Sequence, residues 1–397
     1  MTGSRRKKPI QLPFPPELCA LICEEVGTER KRDLLALCRV SQLFRDEAQR
    51  LIFRTVVVTQ RQNSSPLESW CYAVTRRPQL APRVYSLRLT LDHGLDLTSD
   101  LDKLARALPK CVNLKELSVG GRNWFSHESH QGWALSNKCT FRLDKFTNSY
   151  FKNKFLSQFW NTQSEIRLLS LPVFTGPFPC HSDQLPNLIG LEVANIQALP
   201  TGRPLERIQL LTQWNPAMTN LSALVQYSST LTTLNLVEYH GSTAFSMHRI
   251  LAQVAVTVPN LVHLGFAELR RQRTAYAPVK PEQPQGMPDA ISVPILVRFQ
   301  RLETFFCHLY NISHFIDVPA RKAYSLDEPQ DQEAFGRLTM AACGKLRRIT
   351  VALDMRTPPE FKGDDLVCTL TRTGRDGDVH VEHGTRFDMD KVSMFWV

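Results

Sequence analysis

Residues 259–266 read Pro259-Asn260-Leu261-Val262-His263-Leu264-Gly265-Phe266, and the fold turns on how that string is understood. A proline closes the helix before it. Apolar residues then stand at the first, fourth and sixth places of a six-residue phrase, and the last three places alternate as in a strand with one buried face. The phrase returns as Val84-Tyr85-Ser86-Leu87-Arg88-Leu89, Leu114-Lys115-Glu116-Leu117-Ser118-Val119 and Leu188-Ile189-Gly190-Leu191-Glu192-Val193. Further copies are Leu205…Ile208…Leu210, Leu231…Leu234…Leu236, Leu302…Phe305…Cys307 and Leu346…Ile349…Val351, with weaker ones at Ile166…Leu169…Leu171 and Leu143…Phe146. Helical patterns lie between several of them, at 101–108, 155–159, 221–227, 247–256 and 335–342. Strand and helix therefore alternate, and the fold class is α/β.

This recurrence resembles a divergent leucine-rich-repeat array, in which each strand-plus-helix unit buries its apolar side only against its neighbours. The resemblance covers residues 84–397. The copies start at 84, 114, 188, 205, 231, 261, 302 and 346, too unevenly for a regular period, so a βα-rich globular domain is the competing architecture. The stretch 270–290, with Pro278, Pro281, Pro284 and Pro288, reads as an exposed loop. A short strand is expected around Leu366–Leu370. The turn Asp376-Gly377-Asp378 and the close Met394-Phe395-Trp396-Val397 suggest a terminal hairpin that covers the last repeat.

A second informative stretch lies upstream. Phe14-Pro15-Pro16-Glu17-Leu18 places prolines and a carboxylate where a first helical turn accepts them. Leu18, Leu21, Ile22 and Val26 recur at the spacing of one buried face, and Gly27 ends the helix. Asp33 opens a second apolar burst, Leu34-Leu35-Ala36-Leu37-Cys38. Ser41 is placed to cap a third helix carrying Leu43, Phe44, Ala48, Leu51 and Ile52. Three short helices are predicted over 13–56.

The ordered set Pro15, Glu17, Leu18, Ile22, Val26, then 33–41, Phe44-Arg45 and 51–56 resembles the F-box, and fungal members of that family in particular. Phe14 in place of a leading leucine, and the basic run Arg30-Lys31-Arg32, depart from the family pattern. The resemblance implies docking on the Skp-family adaptor of a cullin-based SCF ubiquitin ligase through Pro15, Glu17, Leu18, Ile22, Leu34, Leu35, Leu37 and Val40. The competing reading is three ordinary amphipathic helices of a larger helical domain. A unit of this size sits near the lower limit for a self-sufficient core, which favours a partner that completes its burial. The implied organisation is a basic flexible tail (1–12), an F-box-like module (13–56), a helical linker (57–83) and the repeat region (84–397).

If the three apolar residues of each phrase point inward, the variable ones line the inner curve of the array. Arg88, Glu116, Glu192, Arg207, Asn235, Phe306, His308 and Arg348 are the candidate client-binding residues, with Phe306 as apolar anchor. A register slip of one would instead make Phe306 core. Their mixed charge suits a folded protein or peptide better than a polyanion.

Composition sets outer bounds. The chain has 397 residues, 43% of them hydrophobic and 22% charged, which is globular. No run approaches the roughly 18 apolar residues of a membrane span. The prolines after Arg5-Arg6-Lys7-Lys8 interrupt any secretory leader, so a cytoplasmic or nuclear protein is expected. The net charge of +10 raises nucleic acid as a partner, and a nuclear scaffold independent of any ligase is the alternative function. Half of that excess falls within residues 1–61, which hold 12 Lys and Arg against 7 Asp and Glu, and this concentration argues against nucleic acid as a target for the rest. Ten scattered cysteines without a Cys-x-x-Cys read as reduced, buried thiols. Phosphate-binding loops and nucleophile elbows are absent from the sequence. The pairs His127/His130 and His380/His383 have poor spacing for one metal on a strand, and Cys180-His181 is not by itself a catalytic pair. The chain is therefore read as a non-enzyme without a cofactor, a site assembled from distant residues being the remaining route to catalysis.

Overall fold

A computed structural model describes residues 15–60, 65–91, 97–121, 132–136, 138–172, 177–181, 183–212, 221–239, 247–269, 291–309, 314–317, 322–325, 328–353, 365–373 and 377–396. The basic tail 1–12, Phe14, His127, His130 and the proline-rich 270–290 stretch lie outside the described residues. The chain forms two compact units, Met1–Ile166 and Arg167–Val397.

The first unit opens with α1 (Pro16–Val26), α2 (Lys31–Leu37) and α3 (Gln42–Arg54). Pro16 occupies the first turn of α1, where its missing N–H costs nothing, and Gly27 stops the helix at a positive φ of 71°. The Ser41 hydroxyl accepts the Phe44 amide and caps α3. The sequence places the start of α2 at Asp33; the helix begins two residues earlier.

Then follow β1 (Thr55–Thr59), α4 (Pro66–Arg76), β2 (Ser86–Leu91), α5 (Thr98–Ala107), β3 (Glu116–Gly121), α6 (Trp133–Ser136), β4 (Lys145–Asn148) and α7 (Ser157–Thr162). β1 to β4 pair in chain order, all parallel. Leu87, Leu117 and Phe146 stand in register and are buried, which is what the phrase requires of its fourth position. The helical connections stack α4 on α5, α5 on α6 and α6 on α7. Phe146 packs against Phe159 and Trp160 at centroid distances of 4.9 and 5.5 Å. β1 follows α3 without a break, so the strand series begins at Thr55. The 57–83 stretch, expected as a linker, contributes part of a strand and α4 to the unit.

The second unit contains β5 (Leu168–Leu171), β6 (Gly190–Val193), β7 (Arg207–Thr212), β8 (Thr233–Tyr239), α8 (Met247–Thr257), β9 (His263–Leu269), β10 (Ile291–Ser292), α9 (Val293–Leu296), β11 (Thr304–Leu309), β12 (His314–Asp317), β13 (Lys322–Ser325), α10 (Pro329–Ala342), β14 (Arg348–Leu353), β15 (Leu366–Thr373), β16 (Asp378–Gly384) and α11 (Met389–Val392). Its main sheet runs β5-β6-β7-β8-β9-β11-β14-β15-β16, and β10, β12 and β13 form a small separate sheet. Pairing is parallel from β5 to β14; β15 and β16 close the series antiparallel.

The fourth-place residues Ile208, Leu234, Leu264, Phe305 and Ile349 form one buried row in exact register with the phrase's expectation of an inward face, and Leu210, Leu236, Phe266, Cys307 and Val351 form the next. Unequal spacing between copies leaves this ladder intact because each strand needs only its two neighbours. The terminal hairpin is β15–β16. Residues 385–396 do not cap the last repeat, however; they turn back over the strand face opposite those two rows.

Candidate functional site

The N-terminal helices bury a small core of Cys19, Cys23, Leu34, Phe44, Ala48 and Leu51, edged by Val26, Leu37, Cys38 and Ile52. The inward stripe of α1 is thus its cysteines with Val26 at their edge, one step round the helix from Leu18, Leu21 and Ile22, so of the four residues expected on one buried face only Val26 packs against this core. Burial pushes the Cys23 thiol above its ordinary pKa, with Glu47 adding to the effect. Arg50 braces the bundle by reaching Glu24 on α1 and Glu47 on its own helix, both at 2.8 Å.

The consequence is an apolar surface with no cover from this unit's own core. Leu18 is 44% exposed, Leu21 59%, Ile22 39%, Leu35 54%, Val40 56% and Leu43 40%. Of the candidate adaptor-binding residues, Pro15, Glu17, Leu18, Ile22, Leu35 and Val40 are exposed. Leu34 is fully buried in the core and is corrected as a docking residue, whereas Leu37 is half-buried against that core. Beside Ile22 lies a shallow open depression of about 510 Å³ lined by Ile22, Glu25, Val26, Gly27, Glu29 and Arg30.

The strand face of the first unit is open and polar. Thr55, Ser86, Glu116 and Lys145 form one row across it, and Val57, Arg88, Ser118 and Thr147 the next. Glu116 pairs with Lys145 at 3.5 Å. Arg88 is exposed and makes no ion pair among the described residues.

In the second unit the corresponding face is covered. Phe387, Met389 and Val392 pack onto Leu211, Val237, Ala267 and Phe306. The Phe387 ring stacks on the His308 imidazole, with centroids 4.5 Å apart and planes within 3°, and also meets Phe306 at 5.8 Å. Asn235 Nδ2 donates to the Ser393 carbonyl at 2.8 Å and Arg207 Nη1 to the Phe395 carbonyl at 3.3 Å. A chain of side-chain hydrogen bonds runs along the row behind these contacts: Asn235 donates to Gln209, Gln209 to Glu192, and Ser170 also donates to Glu192.

Five of the candidate client-binding residues are therefore corrected. Glu192, Asn235, Phe306 and His308 do point to the strand face, so no register slip occurred, but all four are buried, and Arg207 is half-buried beneath the strap formed by residues 387–396. Glu116 is half-buried in its ion pair, and only Arg88 and Arg348 are exposed. The sequence offered one signal for this cover: the outward places just after the phrase in the later copies are apolar, at Leu211, Val237 and Ala267.

The other candidates among the described residues are placed as follows. His380 and His383 sit on β16 beside different carboxylates, Glu382 at 3.7 Å and Glu333 at 3.9 Å. No cluster of three or more His, Cys, Asp or Glu able to hold a metal occurs among the described residues. Burial pushes Cys180 up to about 12, the reverse of what a nucleophilic thiolate needs, although Arg203 pulls the other way. The ten cysteines are free thiols, and burial also carries Cys71 and Cys111 to about 12. No helix among the described residues is long and apolar enough to cross a membrane.

No protein-family model matches the chain, and no curated protein does. Among solved structures, the leucine-rich repeat-containing protein LegL7 from Legionella pneumophila is similar at 16% identity and a TM-score of 0.36, over 73% of this chain and 98% of that one. The strand-and-helix order described above rests on the pairing within each unit.

Proposed function

We propose that the chain is a substrate-recruiting adaptor of an SCF-type ubiquitin ligase. In this reading the N-terminal helices dock on a Skp-family adaptor, and through it on a cullin, while the repeat region holds a client protein. The observation that carries the reading is the exposure of Leu18, Leu21, Ile22, Leu35, Val40 and Leu43 on a bundle that has already closed a core of its own. Several large apolar side chains left exposed on one small bundle are a common mark of a protein-binding surface. The F-box resemblance of 15–56 supplies the identity of the partner.

The chain makes and breaks no bonds in this scheme. It contributes proximity, because a tethered client presents its lysines at a raised effective concentration to the ubiquitin-carrying enzyme. The open row of Val57, Arg88, Ser118 and Thr147 is the surface offered to a client without rearrangement, and Arg88 is its exposed cation. A cytoplasmic or nuclear location goes with this role.

The test is co-purification of the full chain with a Skp-family adaptor, compared with Leu18→Ala/Ile22→Ala. Retention by the wild-type chain and loss by the variant supports the reading. No retention by the wild-type chain removes it.

A further inference from the structure

Residues 387–396 lie on the second unit's strand face in the manner of a bound peptide. Two of the holding contacts are made to main-chain carbonyls, from Asn235 to Ser393 and from Arg207 to Phe395, so they would accept a different sequence equally well. The Asn235 donor is oriented before anything binds, because Gln209, Glu192 and Ser170 fix the hydrogen-bond chain behind it from neighbouring strands. Sequence preference enters through side chains: His308 and Phe306 present a flat seat to the Phe387 ring, Met389 and Val392 share the apolar patch beside it, and Phe395 is fully buried.

The strap is held unevenly. Ser393 and Phe395 are buried, whereas Phe387, Met389 and Val392 keep part of their surface in solvent and Met394 is exposed. It makes no strand pairing with the sheet beneath it, so it can lift without breaking a ladder. The gap left between Val392, Met394 and the sheet residues around His263 and Phe306 is about 20 Å³, room for no more than one water. Strap and a second peptide cannot share the face.

We propose that this face is a peptide-binding site occupied in cis, and that its partner is a segment presenting an aromatic ring to His308 and main-chain carbonyls to Asn235 and Arg207. This deepens the client-holding part of the function above and rests on it.

The probe is a fluorescent synthetic peptide of residues 385–396, titrated against the full chain. Removing the Phe387 ring weakens the cis occupant, so Phe387→Ala is expected to bind the peptide about tenfold more tightly than the wild-type chain does, by relief of intramolecular competition. Adding Asn235→Ala to that variant is expected to return binding to the wild-type level. Native-state hydrogen exchange on the unaltered chain is the second measurement, and the amides of 391–393 are expected to exchange about tenfold or more faster than those of β8, as a locally opening segment does. A folded Phe387→Ala chain that ignores the peptide overturns the proposal, as do strap amides that exchange in step with β8. Because the probe is the chain's own sequence, peptide binding without adaptor co-purification would leave this site standing and remove the ligase reading.

Discussion

Truncating Leu18 and Ile22 together to alanine separates docking from folding. The two side chains retain 44% and 39% of their surface in solvent. Complete burial of such a side chain is worth about 1.5–3 kcal/mol, so the fraction still available to a partner amounts to roughly 0.6–1.3 kcal/mol for each. Their joint loss is then about 1.2–2.5 kcal/mol, so binding to the proposed Skp-family adaptor is expected to weaken roughly eight- to seventyfold. Folding stability is expected to stay within about 0.5 kcal/mol of wild type, as for surface positions generally. Leu34→Ala is the contrasting change: Leu34 is fully buried in the bundle core, and its truncation is expected to cost about 2–5 kcal/mol of stability. Calorimetric titration with purified adaptor gives the first quantity and thermal or urea unfolding the second. An adaptor that binds the double variant as tightly as the wild-type chain would refute the assignment of this face.

Three further outcomes follow from single positions. A methyl group at Gly265 would sit 2.0 Å from the Phe306 ring and 2.4 Å from Asn235 Oδ1, so Gly265→Ala is expected to cost about 1–3 kcal/mol by overpacking and to speed exchange of the strap amides; unchanged unfolding would count against the close approach. Arg203 donates to the carbonyls of His181, Gln184 and Leu185 at 2.6, 2.6 and 2.7 Å, and Arg203→Lys keeps the charge but loses the planar fork, lowering stability by about 1–3 kcal/mol in denaturant unfolding. Burial, with Arg348 adding to it, pulls His263 down to about 3. Since its unfolded pKa is near 6.5, the unfolded chain takes up the proton first as pH falls. Stability is therefore full above about pH 6.5 and lost towards pH 3, by roughly 1.4 kcal/mol per pH unit. Stability measured from pH 7 to 5 should fall less steeply in His263→Gln, and parallel slopes would contradict the burial.

The sequence made most strands legible because the leucine phrase reports a local requirement: two inward side chains per strand, repeated. Even the weak copies Leu143…Phe146 and Ile166…Leu169…Leu171 proved to be β4 and β5. β1 escaped because Thr55-Val56-Val57-Val58-Thr59 lacks the leading leucine and continues directly from α3. The choice of inward stripe on α1 was harder to read for a different reason. Leucine and isoleucine look like core wherever they recur at helical spacing, yet a three-helix bundle closes on little volume, and the cysteines at 19 and 23 filled it. Pattern alone could not say which of two adjacent stripes would be inside.

The strand face of the second unit shows the limit of pattern reading most clearly. The direction in which Phe306 and His308 point follows from a period of two and was readable; what lies on top of them is set by residues far along the chain, as in the Asn235 contact to Ser393 across 158 positions. Even so, composition along the rows differs between the two units in a way that anticipates the cover. Thr59, Thr90 and Gly120 align in the first unit, whereas the row of Leu211, Val237, Ala267 and His308 crosses the second. An outward row that is apolar over several consecutive strands would leave a large solvent-facing patch, which folded chains seldom tolerate unless a partner or a segment of the same chain covers it. Here a segment of the same chain does so, through two carbonyls, the Phe387 ring and amide, the Met389 and Val392 side chains and the buried Phe395, groups that another chain could also present.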